Sequence, residues 1–341
     1  MALITPSYVT VNPHYMEPGV ILPYSQASGA FETIAQGQPL PRLSDGDLYV
    51  YMKKMDVRTK VASGQAAYNS LPSISVILSM ISTPTYLLRV RGEYDHHDTA
   101  AANRWGVSIV EAQRLGMRQG HFQLARNGLL YGFNPAGGEG LVNANGATAL
   151  TLPPDTNGNT TVVTYDNGQM GQFILQQLSA LKTRTNQLGI GRKFTILGPQ
   201  RVLGGWEYQD IVQVTQFQRE GAGSVPVAGM VKEVIAMNGD EIAWVYDDTL
   251  IGQGDGGTDL VIITMPEVKK PAGSMINTNE FAKLEPGIEA CSLMYCDMAA
   301  PREIPTPLAG GAIDVLSEWR ITSGWGVRPE SISLISMPYS A

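Results

Sequence analysis

SIVEAQRLGMRQGHFQLARNGLLYGFNPAGGEGLVN, Ser108 to Asn143, is the stretch whose reading decides the fold. It opens on a capping box: with Ser108 and Glu111 three residues apart, the serine oxygen can take an orphan backbone N–H while the glutamate reaches back to the cap. Ile109, Ala112, Leu115, Phe122, Ala125 and Leu129 then recur at helical spacing and predict one buried face of a helix over 109–130. Arg114, Arg118 and Arg126 recur on another face. At 1.5 Å per residue such a helix is about 33 Å long. Gly116, Gly120 and Gly128 each weaken it, which reads either as close approach of a second backbone or as tolerated surface glycine. Past Leu130 the glycine-rich run to Asn143 reads as turn.

Upstream lie two β-patterned runs. DLYVYMKKMDVRTKVA, Asp47 to Ala62, alternates with Leu48, Val50 and Met52 on one side, and SISVILSMIS, Ser73 to Ser82, is rich in β-branched residues. A polar stretch, Ser63 to Ser70, separates them. Two such strands form a hairpin of roughly 25 to 35 Å at about 3.3 Å per residue, too long to lie over one body without protruding. Residues 1–45 hold Pro6, Pro13, Pro18, Pro23, Pro39 and Pro41 without helical periodicity, and predict an extended arm that needs a partner surface.

Downstream, Met170, Ile174, Leu178 and Leu181 predict a second helix from about Asn167 to Leu188, with Gly189 as its stop. A strand follows at Phe194 to Pro199, then a short helix. Later β signals are VKEVIAMNGDEIAWVYDD, whose Asn238-Gly239 suits a two-residue hairpin turn, then DLVIITMP, IEACSLMYC, WRITSGWGV and SISLISM. Strands, long helix, helix, strand, then many strands make an α+β chain without regular βαβ alternation.

The 341 residues favour one elaborate domain or two interleaved ones. Hydrophobic residues make up 43% and charged residues only 16%, fewer than a water-facing surface usually carries, which points to extensive subunit contacts. The net charge of −7 is uneven: Tyr51 to Leu130 carries ten Lys/Arg against five acids, +5, leaving −12 on the rest. A basic segment facing acidic surfaces of a neighbour and ordinary solvated charge both fit that pattern. Cys291 and Cys296 read as small core hydrophobes, with no further thiols for a metal site or disulfide framework. No signal peptide or membrane-length apolar run is visible, so a reducing cytoplasm is expected, and the Asn159 sequon carries no meaning there.

Catalytic readings fare poorly. Asp95-His96-His97-Asp98 places four possible ligands in a row, but consecutive side chains diverge, so a polar turn leading into a helix is the simpler reading. His14 and His121 sit in no ligand spacing. There is no G-x-S-x-G, no H-E-x-x-H and no catalytic cysteine signature. Gly252 to Gly257 lacks the Lys-Ser/Thr of a phosphate cradle and reads as a surface loop. Trp105, Trp206, Trp244, Trp319 and Trp325 do not interleave with basic residues as a stacking platform would, so core or interface packing is expected.

Leu129-Leu130-Tyr131-Gly132 at the helix end and Gly140-Leu141-Val142-Asn143 after the loop resemble tailed-phage major capsid proteins of the Hong Kong 97 fold. The order of arm, hairpin, long helix, helix and strand ending in Ile196 to Gln200, and late strands agrees. Tyr94 to Gly106 and Lys182 to Gly191 further resemble a subgroup of phage capsid proteins. The resemblance implies an α+β capsid fold with an N-terminal arm (1–45), an E-loop hairpin (46–93), a peripheral domain with the spine helix (94–165 and 281–341) and an axial domain (166–280).

It further implies a non-enzymatic subunit of an icosahedral virion capsid. Such a subunit assembles with itself into hexamers and pentamers in the host bacterial cytoplasm and encloses double-stranded DNA non-specifically. A separate scaffolding protein (or none, since the arm starts almost at Met1), a portal and decoration proteins are its expected partners, with no cofactor, metal or membrane. Lys53, Lys54, Arg58 and Lys60 are expected at the subunit interface. Arg114, Arg118 and Arg126 are expected to face the lumen or DNA, and Gly64, Pro72, Pro84 and Gly92 to act as hinges. The Lys–Asn cross-link known in the family finds no matching partner or catalytic acid here. An encapsulin-like compartment shell, a tail or portal component, and an α+β enzyme with an unrecognised site stand as alternatives.

Overall fold

A computed structural model describes residues 30–34, 42–58, 75–104, 106, 108–185, 191–208, 210–211, 225–266, 293–308 and 310–340. In chain order the helix α1 (Ala30–Ile34) precedes β1 (Tyr49–Arg58), β2 (Ser75–Tyr94), α2 (His96–Arg104) and the long α3 (Ile109–Leu130). Then come β3 (Thr148–Thr151), α4 (Asn167–Arg184), β4 (Lys193–Gly198), α5 (Gln200–Tyr208), β5 (Asp210–Ile211) and β6 (Val225–Pro226). α6 (Val227–Met237), β7 (Glu241–Tyr246), β8 (Asp259–Thr264) and β9 (Leu293–Met294) follow. The chain closes with β10 (Arg302–Pro307), β11 (Ile313–Thr322), β12 (Trp325–Gly326) and β13 (Ile332–Met337).

A five-stranded sheet in the order β3-β13-β8-β4-β7 forms the centre. Every residue of β8 is buried, because both faces of this sheet are covered. Phe194, Ile196, Val261, Ile263 and Ile335 pack with Ile174, Leu178, Trp206 and Val231 of the helices α4 to α6. The alternate residues Leu197, Leu260 and Ile262 pack with Leu129, Leu130 and Leu141 at the end of α3. The sheet takes β3 and β13 from the expected peripheral segments and β4, β7 and β8 from the axial one, so hydrogen-bonded pairing crosses the boundaries drawn at 165 and 281.

A second, antiparallel sheet runs β1-β2-β11-β10. Its spine is β2, 20 residues long, whose first half (Ser75 to Pro84) pairs with β1 and whose second half (Thr85 to Tyr94) pairs with β11. The predicted hairpin is thus the outer half of a strand rooted in the body, and α3 lies across the inner half.

One departure from the sequence reading stands out, while the polar turn read at Asp95 to Asp98 does lead into a helix. VKEVIAM is helical, not a strand: Ala228, Val231 and Ile235 recur at three and four and are buried, and Asn238-Gly239 ends that helix with Gly239 at φ +70° instead of turning a hairpin. Asp95 to Asp98 starts α2, where Asp95 accepts from the Asp98 N–H at 2.7 Å and Asp98 accepts from the Asp95 N–H at 3.3 Å. Those carboxylates are spent on capping. α4 stops at Arg184, short of Leu188, and residues 186–190 lie outside the described residues. Cys296 is fully buried, with its thiol pushed up to about 12 by burial, as befits a core residue; Cys291 lies outside the described residues.

Candidate subunit interface

The end of α3 is built to tight tolerances. A helix leaves its last carbonyls without partners, and here the returning loop supplies them. Leu129 O takes the Leu141 N–H at 3.0 Å, Leu130 O the Val142 N–H at 2.9 Å, Tyr131 O the Asn143 side-chain amide at 2.8 Å, and Gly128 O the Gly324 N–H at 3.1 Å. Leu-Leu-Tyr-Gly and Gly-Leu-Val-Asn are therefore two sides of one joint. Gly132 (φ +75°) and Gly140 (φ +86°) approach so closely that a Cβ on either would sit 2.4 Å from backbone of the other segment. Beneath them, buried Glu139 accepts from the Tyr86 hydroxyl at 3.0 Å, the Asn134 N–H at 3.0 Å and the Ser323 hydroxyl. Burial, then the adjacent carboxylate, pushes the Tyr86 phenol up to about 12.

Along α3, Ser108 caps the Glu111 N–H at 3.4 Å, but the Glu111 carboxylate turns to Arg114 at 3.0 Å, so only half of the predicted box forms. The face turned to the sheet is Met117, His121 and Ala125. The predicted apolar face is only partly inward: Ala125 and Leu129 are buried, whereas Leu115 and Phe122 are 42% and 43% exposed and Ala112 is exposed too. Arg114 bridges Glu111 and Glu303, and Arg118 is exposed. Arg126 corrects an expectation: it is only 9% exposed, because the last turns of α3 sink into the core, and it cannot face a lumen. Of the three helical glycines, Gly128 is held against the Phe133 ring, where a Cβ would meet it at 2.5 Å, while Gly116 has open space.

The hairpin presents two chemically different faces. Val50, Met52 and Ile81 pack at its root against Met294, Cys296 and Trp325. On the opposite face Tyr51 is 65% exposed, Leu78 72% and Met80 69%, with Tyr49 beside them. Lys53, opposite Met80, is exposed on that same face. The side chains of Lys54 and Arg58, and Lys60, Gly64 and Pro72 altogether, lie outside the described residues. Pro84 stands where β2 passes from β1 to β11. The next residue is clamped: Thr85 donates its N–H to Leu48 O at 3.0 Å and its hydroxyl to Asp47 O at 2.6 Å, and Arg320 donates to Asp47 O at 3.1 Å. Gly92 lies inside the β2–β11 ladder, where a Cβ would come 3.0 Å from Gln113 Oε1, so close packing accounts for it and a hinge does not.

The sequence reading singled out the lysines of the hairpin and missed its apolar face. The signal was there: Tyr-Val-Tyr-Met is apolar on both alternating faces, whereas a hairpin lying on its own body needs only one. A cleft of about 240 Å³ between α3 and β10 is lined by Tyr94, Gln113, Met117 and Val315 with the Arg114–Glu303 pair. Its one acid and one cation neutralise each other, and no nucleophile faces a base in it.

No protein-family model matches the sequence, and no curated protein matches it either. Solved structures do match, over nearly the whole chain. The capsid of Myoviridae phage XM1 superposes with a TM-score of 0.67 at 8% identity, covering 95% of this chain and 96% of that one. The capsid of a native GTA particle gives 0.59 at 10% identity with 99% of each chain covered. The mature capsid of bacteriophage PhiM1 gives 0.56 at 11%, with 97% and 93% covered. Among the described residues, two-stranded hairpin, long helix and central sheet thus compose, in this chain, the Hong Kong 97-type fold of tailed-phage capsid proteins.

Proposed function

We propose that the chain is the structural subunit of an icosahedral virion capsid, assembling with itself into hexamers and pentamers around double-stranded DNA. The observation that carries this reading is the full-length fold match to capsid shells combined with an apolar hairpin face turned away from its own body. That face gains from burial at roughly 25 cal/mol per Å² only when a neighbour covers it, and the repeated contact offsets the association entropy lost by each subunit. In this reading the arm and hairpin reach neighbouring subunits, and Lys53, Lys54, Arg58 and Lys60 set register on acidic surfaces there. The α4–α6 side with the central sheet forms the axial part, and α3 with the β2–β11 ladder the peripheral part. Arg118 is the residue of α3 best placed for sequence-blind, salt-dependent contact with DNA. A scaffolding protein, a portal and decoration proteins complete the partner set.

Negative-stain electron microscopy with sedimentation of the purified chain tests this. Closed shells, hexamers or pentamers are expected. Leu78→Asp should abolish them and leave the unfolding midpoint of the free subunit unchanged, since the side chain it replaces is already solvated. A wild-type chain that stays monomeric at assembly-favouring concentration and salt would overturn the proposal.

A further inference from the structure

The spine helix carries one titratable group that the shell reading does not use. His121 is 1% exposed, between α3 and the sheet. Its Nε2 lies 3.0 Å from Ser317 Oγ, its ring meets Trp319 edge-on at 5.9 Å between centroids, and its Nδ1 is buried without a hydrogen-bond partner among the described residues. Beside it Gly120 lies against Val90, so this turn of α3 is seated on the β2–β11 ladder, as is the turn of Gln113 and Met117 against Gly92. We propose that His121 is a proton-operated latch: neutral, it holds α3 against the β2–β11 ladder, and protonated, it releases that seam.

Protonation turns Nδ1 from a tolerable lone pair into a charged N–H with nothing to donate to, and burying such a group is costly. Among the described residues only the hydrogen bond to Ser317 favours the protonated ring, and burial outweighs it. On α3 itself the nearest charges are cations, Arg114, Arg118 and Arg126. From β10, Glu303 faces α3 but is taken by Arg114 at 3.1 Å. On β2 and β11 the ion pairs Arg89–Glu318 and Arg91–Asp314, with Glu93, project from alternate positions to Val90 and Ser317 and so lie on the far face. Tyr94 lines the cleft two to three turns away, and Tyr86 and Glu139 are tied to each other at the C-terminal end of α3. α2 buries none of its residues, so His96, His97, Asp98 and Arg104 stay solvated.

Burial lowers the proton affinity of His121 in the folded chain. The sign follows: the seam has its full strength above the ordinary histidine range of about 6.5 and loses it as pH falls below, by at most about tenfold per pH unit for one proton. This holds for the subunit whether or not it builds a shell, so failure here leaves the capsid reading standing and the reverse.

Hydrogen–deuterium exchange of the full chain, corrected for intrinsic rate, tests the latch, with peptides from α3 read against peptides from α4. Between pH 7 and pH 5, protection of α3 should fall by about tenfold in the wild type and stay level in His121→Gln, which keeps a hydrogen-bonding side chain but takes no charge. Ser317→Asp supplies a carboxylate beside Nε2 and should abolish the acid loss with His121 in place, so the test survives a glutamine variant that fails to fold. Wild-type α3 protection that does not move with pH, an undiminished loss in His121→Gln, or an undiminished loss in Ser317→Asp overturns the proposal.

Discussion

Gly324→Ala isolates the joint at the end of α3. The position is not in the left-handed region, so backbone strain plays no part, but the new Cβ would lie 2.2 Å from Leu129 O and 3.0 Å from Leu129 C. Ordinary contact requires the two segments to part by about 1 Å, since real Cβ atoms keep beyond roughly 3.2 Å of an oxygen. Two hydrogen bonds stretch with them, Gly324 N–H to Gly128 O at 3.1 Å and Gly140 N–H to Gly324 O at 2.7 Å. Overpacking of about 1–3 kcal/mol, with each weakened buried bond adding about 1–2, gives a loss of about 3–7 kcal/mol. Gly116→Ala is the opposite case on the same helix: open space and a solvated helical position, so alanine should stabilise by about 0.5–1 kcal/mol. In urea, with a slope of about 3 kcal/mol per M for a chain this long, the first variant should lose about 1–2 M in midpoint and the second gain about 0.2–0.3 M. A Gly324→Ala midpoint within about 0.2 M of wild type would refute the claim that backbone contact, rather than side-chain packing, closes this joint.

Alkaline stability should fall as pH rises from about 10 towards 12. The phenols of Tyr86 and Tyr246 are both raised to about 12, so the unfolded chain releases those protons first; ultraviolet difference titration of Tyr86→Phe should show one fewer late-ionising tyrosine. Glu139→Gln keeps the shape but weakens three hydrogen bonds to a buried carboxylate, and should cost about 2–4 kcal/mol by chemical denaturation. Arg201 grips Asp259 through two bonds of 2.6 and 2.5 Å. Because Asp259 is 1% exposed and the Arg201 side chain 40%, Arg201→Ala should cost more, about 3–5 kcal/mol, than Asp259→Asn, about 1–2. Equal losses in the two single mutants would remove the asymmetry.

How much of this was legible beforehand depended on where each side chain finds its partner. The bounds of α3 came out at Ile109 and Leu130 because a serine cap and the Leu-Leu-Tyr-Gly exit are local signals. Its orientation did not, because α3 carries apolar residues on two sides and periodicity cannot tell a core contact from one reserved for another molecule: Leu115 and Phe122 fitted the pattern, yet Met117 and His121 face the sheet. The misreading at α6 has a similar root. Val231, Val234 and Ile235 favour a strand by intrinsic preference, but burial against α4 and α5 decides for helix, and an Asn-Gly pair serves a helix end as readily as a hairpin. Glu139 escaped attention because its partners, Tyr86 and Ser323, are 53 and 184 residues away. Arg126 was misassigned for the same reason: its spacing is that of a surface stripe, and only the tertiary packing of the last two turns shows it buried.

The uninterrupted run of β2 has a mechanical consequence. Ten residues on either side of the Pro84–Thr85 bond give two arms of about 33 Å, one ending in the hairpin and the other under α3, with the clamp of Asp47, Thr85 and Arg320 as fulcrum. A neighbour that pushed the hairpin aside by about 5 Å would rotate its arm by about 9°, and the continuous strand would carry part of that load to the ladder on which His121 rests. Pro84, which lacks an N–H, would be a point of compliance in that beam and would then set how much of a bend at one subunit's edge arrives as strain in its core. On this geometry, a contact at the rim of the subunit would load the spine helix without any small molecule to carry the message.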